Sequence, residues 1–134
     1  MITVLLADDH IMVRDGLRYI LEAAGDIQII GLASNGKEAI AQALKNCPNI
    51  TVIDISMPLL DGIEATKQIL AACPHTRIII LSMYHTEEYV QRAIRAGAYG
   101  YVLKDAAGTE LVEAIRSLHA GKRYFSPQVA KYSP

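Results

Sequence analysis

Five short apolar runs alternate strictly with five amphipathic stretches along these 134 residues, and that alternation restricts the fold more than any other feature. The runs are ITVLLA at 2–7, IQIIGLA at 27–33, ITVIDI at 50–55, RIIILS at 77–82 and YGYVL at 99–103. They are rich in Ile, Val and Tyr and mostly lack polar alternation, which suits strands covered on both faces of a parallel sheet.

The stretches between them carry helical spacing. Val13, Leu17, Ile20, Leu21 and Ala24 share one face of the first, which Gly25 can end. Ala39, Ile40, Ala43 and Leu44 do so in the second, before Cys47-Pro48. The third opens at Asp61 with Glu64 three residues on, a capping-box spacing, and carries Ile63, Ile69 and Leu70 up to Pro74. The fourth starts after Thr86, uses Tyr89, Val90, Ala93 and Ile94, and ends at Gly97. The fifth buries Leu111, Val112, Ile115 and Leu118 and stops at Gly121.

Strict β-α alternation with short connections implies right-handed crossovers and a doubly wound α/β sheet. The expected fold is a flavodoxin-like (βα)5 unit with a five-stranded parallel sheet of order 2-1-3-4-5. From Lys122 onward (KRYFSPQVAKYSP) the periodicity dissolves. Residues 1–121 therefore read as one domain and 122–134 as the start of a linker.

Charge says what this unit is not. Thirteen Lys and Arg oppose fourteen Asp and Glu, a net of −1, and only Lys122 and Arg123 are adjacent basic residues. No basic stripe suited to a phosphate backbone exists, which argues against direct nucleic-acid binding. No apolar run approaches the roughly 18 residues of a membrane span, and no basic leader precedes the first strand. The chain is expected to be cytoplasmic, without membrane contact, and its two cysteines, Cys47 and Cys73, to be reduced thiols.

In a sheet of this kind, ligands bind beyond the carboxyl ends of the strands. Strand one ends in Asp8-Asp9, strand three reaches Asp54, strand four ends in Ser82 and strand five runs into Lys104, so parallel strands deliver all five to one edge. Three crowded carboxylates would repel one another without a cation. Oxygen ligands without His or Cys suit a hard ion such as Mg²⁺, which shares phosphate oxygens readily. A carboxylate nucleophile can form an acyl phosphate, and a lysine and a hydroxyl can stabilise the charge that develops. Each residue alone has an ordinary explanation: a solvated turn, a cap, a surface charge. Their joint arrival at one edge is the signal.

The pieces LLADDH, VRDGL, NGKEA, VIDISMPLLDGIEA, ILS and AGAYGYVLKD stand in a fixed order, and through them the chain resembles the receiver domain of bacterial two-component response regulators to about Gly121. VRDGL and GAYGYVLKD are most similar to the NarL/FixJ (LuxR-type) branch, whose members carry a C-terminal helix-turn-helix. The resemblance implies that Asp54 is the phosphoacceptor, forming a 4-aspartyl phosphate. It implies that Asp9, Asp54 and the Ser56 backbone carbonyl bind Mg²⁺ directly, with Asp8 acting through water. Lys104 and Ser82 would contact the phosphoryl group, and Ser82 and Tyr101 would form the switch. The implied partners are a sensor histidine kinase, a second copy in a homodimer, and DNA through a C-terminal domain beyond this chain. Such a domain is no conventional enzyme, but it catalyses its own phosphorylation and dephosphorylation.

Two departures from the family stand out. Ser82 replaces a frequent Thr, keeping the hydroxyl without the methyl. Asp105 follows the site lysine where many members have a cis-proline, so a trans Lys104-Asp105 peptide is expected. Ser56 and Tyr84, each two residues past a site residue, are expected to tune the acyl-phosphate lifetime. Tyr84 and Tyr89 are candidates for partner contact, with helix packing an equal role for Tyr89. His10 is expected to open the first helix rather than bind metal, and His75, His85 and His119 to face solvent.

Three other functions fit these residues less well. A flavin-binding protein would need Gly, Ser or Thr after strand one, where Asp8-Asp9 would repel a bare phosphate. A phosphohydrolase would need a cap insertion. A degenerate receiver serving as a phosphorylation-independent docking or dimerisation module would not need all of Asp8, Asp9, Asp54, Ser82 and Lys104.

Overall fold

The computed structural model describes residues 1–134. The strands β1 (Ile2–Ala7), β2 (Ile27–Ala33), β3 (Ile50–Asp54), β4 (Arg77–Ser82) and β5 (Gly100–Leu103) alternate with α1 (Ile11–Ala23), α2 (Gly36–Lys45), α3 (Gly62–Ala72), α4 (Glu87–Ala96) and α5 (Ala107–His119). All strand pairs are parallel, and the order β2-β1-β3-β4-β5 is the expected one. A sixth strand, β6 (Tyr124–Phe125), extends the sheet beside β5.

The two-residue period of the strands sorts their side chains into two cores. Leu5, Ile53, Ile80, Tyr101 and Leu103 point to one, packed with residues of α2, α3 and α4. Val4, Val52, Ile79, Leu81 and Val102 point to the other, with residues of α1 and α5. Both faces are covered, which is why the runs lack polar alternation. No helix is long and apolar enough to cross a membrane.

Local chemistry sets the helix ends. Asp61 caps α3 by accepting the Glu64 N–H at 2.9 Å, and Asn35 caps α2 by accepting that of Glu38 at 2.8 Å. Gly97 ends α4 with φ of +110°, a left-handed conformation that L-residues adopt at a cost. Leu17 and Leu21 anchor α1, whereas Val13 and Ile20, expected on the same apolar face, are exposed.

Three further expectations need correction. Leu44, expected on the buried face of α2, is exposed. Ala39 and Ala43 carry that face, and Leu44 stands about 100° round from Ala43. The cysteines are not free thiols: Cys47 and Cys73 form a disulfide with Cα atoms 5.6 Å apart. Parallel crossovers set α2 beside α3, so the two chain segments leaving these helices converge.

The third correction concerns 122–134, which returns to the domain instead of leaving it. β6 pairs with β5, and a 3-10 helix (Pro127–Tyr132) packs on α4. Val129 and Ser126 have no solvent exposure. Arg77 and Arg123 both lie 4.2 Å from the Tyr99 ring centre, and Gln91 donates from Nε2 to the Tyr132 carbonyl at 3.1 Å. Packing at single, irregularly spaced side chains leaves no periodic trace in the sequence.

Candidate functional site

β1 and β3 are central and adjacent, so the turns leaving them bring Asp8, Asp9 and Asp54 together. Asp8 is fully buried and Asp54 is 2% exposed. The loop after β3 is held tightly against that strand. Gly62 donates its N–H to the Ile55 carbonyl at 3.0 Å, and a Cβ built on Gly62 would fall 2.3 Å from the Asp54 carbonyl oxygen. Glycine is required there by close approach. In the same loop Leu59 adopts φ of +67°, and the Leu60 N–H reaches the Pro58 carbonyl at 2.7 Å, closing a tight three-residue turn.

Lys104 follows β5 in a short 3-10 turn and reaches inward across β4. Its Nζ donates to Asp54 Oδ2 at 2.7 Å and to Asp8 Oδ1 at 3.2 Å. The Ser56 N–H donates to Asp54 Oδ1 at 3.1 Å. Burial pushes the Asp54 carboxyl above the usual carboxylate range, although the Lys104 and Ser56 hydrogen bonds act to lower it. Burial acts to lower the Lys104 ammonium, but Asp54 and Asp8 outweigh it and hold Lys104 above its ordinary value. The lysine stays charged and the carboxylates supply its partners. No peptide bond is cis, so Lys104-Asp105 is trans as expected.

His10 opens α1 as expected, yet it also belongs to the acidic cluster. Its N–H donates to Asp8 Oδ1 at 2.8 Å, and its Nδ1 lies 2.8 Å from Lys104 Nζ. One ligand-type atom from each of Asp8, Asp9, His10 and Asp54 falls within 4.8 Å of the others. His75, His85 and His119 are exposed.

The residues present fit a hard divalent cation. Asp8 Oδ2 and Asp9 Oδ1 are buried and accept no hydrogen bond, although Lys104 Nζ lies 3.2 Å from the former. Buried carboxylate oxygens left without donors are costly, and a cation bound by oxygens relieves that cost.

Ser82 is fully buried, and its Oγ accepts the Tyr84 N–H at 2.9 Å. Tyr101 has no exposure, and its hydroxyl donates to the Tyr84 carbonyl at 2.8 Å. The backbone of Tyr84 therefore joins Ser82 to Tyr101. Tyr101 thus lies inward in this structure. Burial raises the Tyr101 phenol above its ordinary value. Tyr84 and Tyr89 stack at 4.0 Å between ring centres, which gives both a packing role.

Sequence reasoning missed the polar group behind β5. Ser126 Oγ accepts the Leu103 N–H at 2.9 Å and donates to Glu110 Oε1 at 2.7 Å. A Ser-Pro pair after an apolar dipeptide was the only trace of it in the sequence.

Chemically, the edge offers a buried carboxylate, a counter-charged lysine, and an acidic pocket. Comparison with known proteins agrees with that inventory. Residues 4–116 match the family described as the response regulator receiver domain. The transcriptional regulatory protein YxjL of Bacillus subtilis is 46% identical over 124 residues, which are 92% of this chain and 57% of YxjL. The chain thus spans less than two thirds of that relative. A two-component response regulator of the LuxR family from Aurantimonas superposes with a TM-score of 0.93 at 35% identity, covering 98% of this chain and 94% of that one. The isolated REC domain of RcsB from Salmonella enterica, solved with the phosphomimetic BeF3-, gives 0.88 at 29% identity, covering 99% of each.

Proposed function

The chain belongs to the response regulator receiver domain family, in its LuxR branch, and from that membership we propose that Asp54 accepts a phosphoryl group from a sensor histidine kinase. The observation that carries the reading is the pairing of Lys104 with Asp54 beside two buried carboxylate oxygens that accept no hydrogen bond. A carboxylate placed so can attack phosphorus, forming an O–P bond as the N–P bond of a phosphohistidine breaks and its electron pair returns to nitrogen. Lys104, already within the pocket, offsets the charge that develops on the phosphoryl oxygens. Ser82 supplies a hydroxyl at the neighbouring strand end.

Asp9, Asp54 and the Ser56 carbonyl would hold Mg²⁺, with Asp8 acting through water. When bound, the ion supplies charge neutralisation at the phosphoryl oxygens. The same groups orient water for hydrolysis, so the domain would catalyse its own phosphorylation and dephosphorylation without being a conventional enzyme.

Ser82 and Tyr101 form the switch in this reading. A phosphoryl group adds about −1.5 to −2 charge, drawing Ser82 away from the Tyr84 N–H and loosening the Tyr84–Tyr101 link. The face of α4, β5 and α5 would read the change out through dimerisation or through a helix-turn-helix domain beyond residue 134. DNA would be reached only through that domain, as the relationship to a transcriptional regulator suggests, and the protein would then act in the cytoplasm. The test is intact-mass measurement after treatment with acetyl phosphate and Mg²⁺, with the site mapped. We expect one phosphoryl group on Asp54 and none on Asp54→Asn; full labelling of that variant overturns the assignment.

A further inference from the structure

The hydrogen bonds between β5 and β6 end on an unusual rung. Tyr124 N–H donates to the Tyr99 carbonyl at 3.3 Å, and Ser126 N–H to the Tyr101 carbonyl at 2.9 Å, as a parallel ladder requires. The next donor, Leu103 N–H, meets a side chain instead, Ser126 Oγ at 2.9 Å. That hydroxyl spends its own proton on Glu110 Oε1 at 2.7 Å, and the Tyr124 hydroxyl reaches the same oxygen at 3.1 Å. Leu103 and Ser126 are both without solvent exposure. A carboxylate accepting the serine proton makes Oγ a stronger acceptor for the Leu103 amide.

Leu103 is the residue from which Lys104 departs. To reach Asp54 the lysine must cross β4, about 9–10 Å between the axes of β5 and β3. Its productive position at 2.7 Å therefore depends on where the end of β5 is fixed. β4 fixes one side of that end. On the other side β6 has already run out, and only the Ser126 hydroxyl holds the last amide.

We propose that Ser126 is a positioning residue for the phosphoryl chemistry, fixing through the Leu103 amide the point from which Lys104 reaches Asp54. Glu110 orients the hydroxyl. The segment after α5 is then a working part of the receiver site, although no residue of it touches the reacting atoms. This rests on Asp54 being the phosphoacceptor. It goes further by making that reaction depend on a residue outside the (βα)5 unit.

The test compares variants of the full 134-residue chain. Ser126→Ala should slow phosphorylation by acetyl phosphate on the order of ten-fold, the scale expected when a charged group is displaced by a fraction of an ångström. Its Mg²⁺ affinity by calorimetry should stay unchanged, because the acidic cluster does not involve Ser126. Ser126→Thr, which restores the hydroxyl, should recover the rate. Tyr124→Phe removes a contact to Glu110 but leaves the Leu103 rung, so it should lower the melting temperature without slowing the reaction. Equal slowing in Ser126→Ala and Tyr124→Phe would reduce the effect to fold stability and overturn the proposal, as would a wild-type rate in Ser126→Ala.

Should Ser126→Ala fail to fold, Glu110→Gln decides. It keeps the shape but removes the charge that polarises the hydroxyl, and should be slowed a few-fold; a wild-type rate refutes the role. A second readout needs no phosphorylation. In metal-free protein the amide shifts and exchange of Leu103 to Asp105 should change in Ser126→Ala. Unchanged amides would refute positioning even if Asp54 proved not to be the acceptor, whereas altered amides with an unlabelled wild type would refute only the phosphoacceptor reading.

Discussion

Lys104 Nζ lies 2.7 Å from Asp54 Oδ2, across an intervening strand and 50 residues away in sequence. The pair is nearly enclosed: the lysine side chain is 11% exposed and that of Asp54 is 3%. Asp8 contributes a second carboxylate to the same ammonium. One positive charge thus serves two buried acids, with a third, Asp9, alongside.

Removing that charge should be felt before any chemistry occurs. Lys104→Met leaves Asp54 and Asp8 facing each other without a counter-ion. It should cost about 2 kcal/mol of metal-free stability, below the usual figure for a broken buried pair because water can reach the pocket rim. Urea unfolding in EDTA measures it, and a variant as stable as the parent would contradict the pairing.

Asp9 has the opposite expectation. It is not bound to Lys104, and its buried Oδ1 accepts no hydrogen bond, with His10 Nδ1 3.3 Å away. Asp9→Ala should raise stability in EDTA by relieving like-charge repulsion. It should also weaken the thermal stabilisation produced by Mg²⁺. Paired melts with and without Mg²⁺ test both, and an undiminished Mg²⁺ response would argue against direct ligation.

Close packing beneath the site predicts the effect of one methyl group. In Gly62→Ala the new Cβ would meet the Asp54 carbonyl oxygen at 2.3 Å, so the start of α3 must move away from β3. A loss of about 1–3 kcal/mol is expected, with slower labelling of Asp54. Chemical denaturation together with the acetyl phosphate assay checks it.

Tyr124 should leave a signature at high pH. Burial, with the Glu110 hydrogen bond and charge added, pushes its phenol from 10.0 up to about 12. The folded state therefore holds the proton more tightly than the unfolded state does. The resulting stabilisation is fully present below pH 10 and is lost as pH rises toward about 12. Subtracting the stability curve of Tyr124→Phe from that of the parent isolates this contribution. A difference that stays level between pH 10 and 12 would contradict the half-buried Tyr124–Glu110 contact.

Legible in the residue pattern were the five β-α units and the edge at which Asp8, Asp9, Asp54, Ser82 and Lys104 would gather. That much follows from short-range patterning: a period of two or of 3.6 fixes each element, and parallel crossovers send every strand end to one side. Three-dimensional packing decided what those residues do to one another. That Lys104 serves Asp54 and Asp8 together, that His10 joins them, and that Tyr101 points inward depend on distances across strands far apart in the chain. The same holds for the Cys47–Cys73 bond and for Ser126 beneath Leu103. Such contacts involve single residues brought together by the completed sheet. A periodic pattern records which face of an element is buried, but it carries no record of which lone side chain will stand opposite another once the faces have closed.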